Sequence, residues 1–165
     1  MKKLLLLILL NSVNYLFGQN IFESEEFGFS MEEPANWNVA SNKEILKNTK
    51  KLKFTKEELD QILQSNKGSV LIKSFYKYNI KKHEGLIPTI QVRVRSMSLN
   101  RASNFKNSIE KSVEQLKGLL KNFELIEEPK DTSVSGIASV YFSCRYTIPD
   151  QEGNLIKTRS KTFAT

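Results

Sequence analysis

Val140-Tyr141-Phe142-Ser143-Cys144-Arg145-Tyr146-Thr147-Ile148 is the stretch that decides the fold. Its even positions are apolar and most of its odd ones polar, the period of a β-strand with one buried face. Cys144 falls on the same side as Phe142 and Tyr146, which makes it a buried, inert thiol; a nucleophile needs partial exposure and a cationic neighbour. Outward from this strand, Pro149-Asp150-Gln151-Glu152-Gly153-Asn154 is a turn, and Leu155 to Phe163 returns as the second strand of a hairpin. On the N-terminal side the strand begins at Gly136, behind a polar loop over Glu127 to Ser135 and a strand-like bridge over Phe123 to Ile126.

Before the bridge lies a long helix. Between Ser103 and Lys121, Phe105, Ile109, Val113, Leu116, Leu119 and Leu120 recur at steps of three and four, with Lys and Glu on the other face, so one side is buried against a sheet. Ser103 or Asn104 is placed to cap its N-terminus, and Lys117 and Lys121 complement the dipole at its end. Two more strands precede it, Ser69 to Tyr78 and Thr89 to Ser98. The segment between them, Asn79 to Pro88, reads as the loop of an antiparallel hairpin and, from its length and charge, as a mobile recognition loop. Thr55-Lys56-Glu57-Glu58 is a capping box opening a short helix with the stripe Leu59, Ile62 and Leu63, which ends before Gly68. Ile45, Leu46 and Leu52 mark an earlier, less regular helical turn. Ile21 to Met31 reads as a first strand that ends in a turn at Pro34, with Trp37 folding back over the edge of the core.

Lys2 and Lys3, the apolar run Leu4 to Leu10 and the small residue Gly18 have the three parts of a secretory signal, with cleavage near Gly18 or Gln19. Asn11, Ser12 and Asn14 interrupt the run well short of the roughly 20 apolar residues a membrane span needs. The chain of 165 residues divides into a signal peptide over residues 1–19 and one domain over residues 20–165, expected to be soluble once exported. Such a domain buries about two-thirds of its unfolded surface. Setting aside Lys2 and Lys3 from the 25 basic residues leaves 23 against 18 acidic ones, a net charge of +5. An exported protein of that mild basicity meets anionic lipid, glycan or another protein, and nucleic acid is not an expected partner; the alternative is a Lys-rich solvated surface, since Lys and Glu are interleaved along the chain. The single cysteine forms no intramolecular disulfide, so stability comes from packing.

No catalytic constellation emerges. His83, the one histidine, sits in the Lys-rich loop without a nucleophile partner, and His83-Glu84 is too little for a zinc site. The adjacent pairs Glu25-Glu26, Glu32-Glu33 and Glu127-Glu128 point to opposite faces of any strand that holds them. What remains is basic: Arg93 and Arg95 share one strand face, Arg145 lies on the polar face of its strand, and Lys157, Arg159 and Lys161 share one face of the last. If these faces coincide they form a cationic sheet surface suited to anionic lipid, glycan or an acidic patch of a partner. The alternative is that each is an outward residue guarding an edge strand against aggregation.

Phe27-Gly28-Phe29-Ser30-Met31-Glu32-Glu33-Pro34-Ala35-Asn36-Trp37 resembles the opening of PsbP-like domains, and the later order of hairpin, long helix, Tyr-rich strand and basic strand is similar to theirs. The resemblance implies an antiparallel sheet packed by helices on its faces, an α/β/α sandwich in the α+β class, with a non-catalytic role in binding or assembling other proteins. It also implies a further strand and closing helix beyond Thr165, so the chain is expected to be a shortened form. It assigns neither a metal nor a cofactor. Taken together, the sequence points to an exported, non-enzymatic binding or assembly module whose partner is another envelope protein. The alternative is a surface protein that takes anionic lipid or glycan on the cationic face, and an enzyme comes third.

Overall fold

The computed structural model describes residues 20–49, 52, 55–56, 60, 67–83, 86–96 and 104–165. Within them the chain is a mixed α+β fold with three small antiparallel sheets and few helices. The leader, Glu57 and Glu58 of the capping box with the stripe Leu59, Ile62 and Leu63, and Ser103 as a helix cap lie outside the described residues. No helix among the described residues is long and apolar enough to cross a membrane.

Strands β1 (Ile21–Ser24) and β2 (Phe29–Glu32) form a hairpin running from Ile21↔Glu32 to Ser24↔Phe29. The expected single strand from Ile21 to Met31 is therefore two. Glu25–Phe27 tighten into a 3-10 turn and Gly28 takes φ 57, a left-handed conformation that costs glycine little and reverses the chain. The turn at Pro34 is present, closed by the Trp37 N–H donating to the Pro34 carbonyl at 3.2 Å.

The second sheet has the order β3 (Asn38–Val39), β4 (Ser69–Tyr76), β5 (Thr89–Arg95). Its β4–β5 hairpin is the expected one, with β4 ending two residues short of Tyr78 at the loop and β5 ending at Arg95. Tyr76 packs with Ala40 and Ile87, and Ile45 and Ile80 close over them, so the described part of the Asn79 to Pro88 loop sends two apolar side chains inward. Ile45 belongs to α1 (Asn42–Thr49), a regular helix where only an irregular turn is expected. Its cap is reciprocal: the Ser41 N–H donates to Glu44 Oε2 at 2.9 Å and the Glu44 N–H to Ser41 Oγ at 3.4 Å. On the other face of β4, Lys73 clasps the first hairpin, its Nζ 3.3 Å from Glu33 Oε1 and 4.8 Å from the centre of the Phe22 ring.

The third sheet, with the helix that leads into it, holds most of the secondary structure among the described residues. Helix α2 (Phe105–Leu119) leads into β6 (Lys121–Val134), β7 (Ile137–Pro149) and β8 (Leu155–Ala164), in the order β6–β7–β8. The helix is two residues shorter at each end than its periodicity suggests, and the Asn104 side chain makes no capping hydrogen bond. Val113, Phe142 and Cys144 form the core between helix and sheet, joined by Ile109, Leu116, Phe123, Leu125 and Tyr146. This is the apolar stripe meeting the even face of β7.

The polar loop expected over Glu127 to Ser135 is strand. Ser135 and Gly136, at φ 50 and φ 81, make a two-residue turn with both φ values positive, the geometry that matches strand twist and locks Val134 opposite Ile137. Once that turn is tight, the chain before it must pair with β7. It does so with register shifts between Lys121 and Glu124, Leu125 and Glu127, and Glu127 and Lys130, the last holding buried Pro129 where no ladder hydrogen bond is lost.

Candidate functional site

In an antiparallel pair, directly opposed residues share a face. The face of the third sheet turned away from α2 therefore consists of rows that cross all three strands. Lys130, Tyr141 and Phe163 form one row, Glu127, Ser143 and Lys161 the next, Glu124, Arg145 and Arg159 the third, and Lys121, Thr147 and Lys157 the fourth.

The β6 side of these rows carries two carboxylates, Glu124 and Glu127, each satisfied within the face. The Tyr141 hydroxyl donates to Glu127 Oε2 at 2.5 Å and the Ser143 hydroxyl to the same oxygen at 2.9 Å, while Lys130 Nζ lies 3.0 Å from Oε1. Those contacts, the tyrosine foremost, then the ammonium and the serine, hold the Glu127 carboxyl down from an ordinary 4.5 to about 2. Lys130 also sits 5.2 Å from the centre of the Tyr141 ring, whose other neighbour is the Phe163 ring at 4.7 Å. The cover is complete enough that Ser143 is 0% exposed and Tyr141 8%, so β7 is buried on both faces here, not on one as its alternation predicts. Glu124 receives Arg145 in a two-pronged contact, Nε and Nη2 each at 2.6 Å from Oε2.

The β8 side is cationic and open. Lys157, Arg159 and Lys161 are exposed and make no ion pair among the described residues. Arg159 stands directly opposite Arg145, a like-charge pair that raises the potential of the face. Phe163, 59% exposed, ends the row.

Of the six basic residues singled out in the sequence, the structure brings four onto this face: Arg145, Lys157, Arg159 and Lys161. Arg93 and Arg95 share a face as expected, but on β5 of the second sheet, opposite Leu71 and Ser69. The six do not form one sheet surface. His83 is exposed in its loop with its ring 4.9 Å from that of Tyr78. Cys144 is 1% exposed, and burial pushes its thiol pKa up, away from nucleophilic use. No group of three His, Cys, Asp or Glu side chains among the described residues is placed to hold a metal.

Sequence reasoning missed the Glu127, Tyr141, Ser143 and Lys130 network, because it placed Glu127 in a loop. The Ser135-Gly136 dipeptide was the available signal: a tight hairpin turn before a thirteen-residue strand implies a partner strand of similar length. Comparison of the chain with protein-family models, with curated proteins and with solved structures finds no match.

Proposed function

We propose that the protein is an exported, non-enzymatic binding or assembly module of the cell envelope, partnered by another envelope protein. The observation that carries the reading is the cationic β8 side of the third sheet, without an ion pair among the described residues and exposed beside a β6 side whose two carboxylates are already satisfied. A surface that satisfies its carboxylates internally and leaves Lys157, Arg159 and Lys161 exposed is built to meet an anionic partner. Export rests on the leader of residues 1–19. The polar groups that chemistry needs support the non-enzymatic part of the reading: Ser143 is sealed beneath Glu127, Cys144 lies in the core, and the His83 ring rests against Tyr78. The PsbP-like sandwich belongs to the same proposal. It is supported by α2 lying on one face of an antiparallel sheet and by the turn from Pro34 to Trp37, and it is weakened by the break at Gly28 within the quoted motif.

A second reading is favoured by the same cations: anionic lipid or glycan bound directly on this face. In-cell crosslinking of the tagged protein, followed by fractionation and mass spectrometry, separates the two. One dominant envelope protein is the expected capture. Recovery with lipid or glycan and without protein moves the function to the second reading.

A further inference from the structure

We infer that the outer edge of β8 is a docking edge for an extended acidic strand of a partner protein, which joins the sheet beside β8 with Asp or Glu side chains over Lys157, Arg159 and Lys161. The inference rests on the binding-module reading and names the chemistry of the partner. β8 keeps an unbroken register with β7 through every pair from Val140↔Ala164 to Pro149↔Leu155. Over its ten residues, about 33 Å of strand, no strand among the described residues lies on its other side. A regular edge of that length presents a row of free N–H and C=O groups, the template that strand addition uses.

The cations fit that mode of binding. Lys157, Arg159 and Lys161 recur at every second residue, about 6.6 Å apart along the strand, which is also the spacing of same-face side chains in any strand laid beside it. A partner with acidic residues at alternate positions therefore meets each cation in turn, and its main chain takes up the free edge. Alternating with them, Thr158, Ser160 and Thr162 are half-buried on the other face, small enough for β-branched partner residues to cover. A second copy of this chain is a poor occupant: antiparallel pairing of β8 with itself about Arg159 sets Lys157 against Lys161 and Arg159 against Arg159, three like-charge contacts. The β6 edge is closed to the same mode by its three register shifts and Pro129.

The test uses the purified protein and a fluorescein-labelled ten-residue peptide of alternating Thr and Glu, compared with the same peptide carrying N-methyl groups on every backbone nitrogen. Both have the same charge, but only the first can complete the edge. The expected result is binding of the first peptide, weakened about tenfold or more by N-methylation and equally by the triple reversal K157E, R159E, K161E, with slowed hydrogen exchange at alternate β8 amides in the complex. Circular dichroism of the triple variant checks that it is folded, and the N-methylated peptide tests the wild-type chain without any mutation. Equal binding of the two peptides, or no binding of either, overturns the inference. So does binding of phosphatidylglycerol vesicles or polygalacturonate that the triple reversal abolishes while the plain peptide gains nothing over its N-methylated form. If the peptide fails and crosslinking still captures one dominant envelope protein, only the β8 assignment is lost; if both fail, the module reading goes with it.

Discussion

β6 and β8 flank the same central strand, yet β6 departs from regular pairing three times and carries Pro129 and the left-handed Asn122 at φ 52, whereas β8 keeps its register to the end. Their charges differ in the same sense. Glu124 and Glu127 on β6 each hold a cation, Arg145 at 2.6 Å and Lys130 at 3.0 Å, while the three cations of β8 hold nothing among the described residues. A sheet edge has to be protected, and irregular backbone and charge are two separate means. Where the backbone of β6 already forbids another strand, its charges are free to pair within the sheet. Where the backbone of β8 permits one, charge alone decides what is admitted.

The largest effect is expected where both edges depend on the centre. Phe142→Ala removes a 5%-exposed ring from the core under α2 and is expected to cost about 3–5 kcal/mol in urea unfolding. A loss below about 1.5 kcal/mol, the size of an isosteric swap, means that the helix does not depend on this contact. Next comes the β6 side alone. Tyr141→Phe deletes the hydroxyl that bonds Glu127 and is expected to cost about 1.5 kcal/mol, at the low end for a bond to a charged group because Glu127 keeps contact with water. An unchanged midpoint breaks the claim that β6 is tied inward.

These strands were unequally visible in the sequence, for physical reasons. Helix α2 and strand β7 announce themselves because nothing interrupts their periods of 3.6 and 2. β6 does not. Each register shift inserts one residue, so its outward side chains Glu124, Glu127 and Lys130 fall at steps of three, and alternation is lost just where the network forms. In the first hairpin, Phe27-Gly28-Phe29 reads as apolar continuity, and only the left-handed Gly28 shows it to be a turn. The candidate site was half visible. That Lys157, Arg159 and Lys161 share a face follows from alternation alone, but which strand lies beside which is a tertiary matter, and local pattern could not show that Arg145 joins them while Arg93 and Arg95 belong to another sheet.

Acid separates the two sides of the sheet without mutation. Glu127 is held near 2 from an ordinary 4.5, and Glu44, held by the Ser41 N–H and hydroxyl and by Lys81, is lowered equally. A carboxyl depressed in the folded state stays charged there after the unfolded chain has begun to take up protons, so its contribution is complete above about pH 4.5 and is lost as the pH falls towards 2. Stability followed by Trp37 fluorescence is expected to drop through that window, with a shallower fall in Glu127→Gln and the shallowest when Glu44→Gln is added. An identical acid limb in Glu127→Gln shows that the network does not outlast protonation of the unfolded chain.

The smallest effect belongs to β8, and its sign matters more than its size. Neutralising the row as Lys157→Gln, Arg159→Gln and Lys161→Gln breaks no ion pair among the described residues, so stability should stay within about 0.5 kcal/mol of the wild type. The direction should be upward. Arg159 faces Arg145 across the strand pair, and like charges directly opposed destabilise a sheet. Salt gives the control: added sodium chloride screens that repulsion and should stabilise the wild-type chain slightly, with the gain absent from the neutralised one. A loss of about 1 kcal/mol or more places the β8 cations in the same structural role as Arg145, and the contrast between the two edges fails. A neutral or improved stability, accompanied by self-association once the like charges no longer oppose β8–β8 pairing, shows that the row contributes little to the fold and governs what may join the sheet.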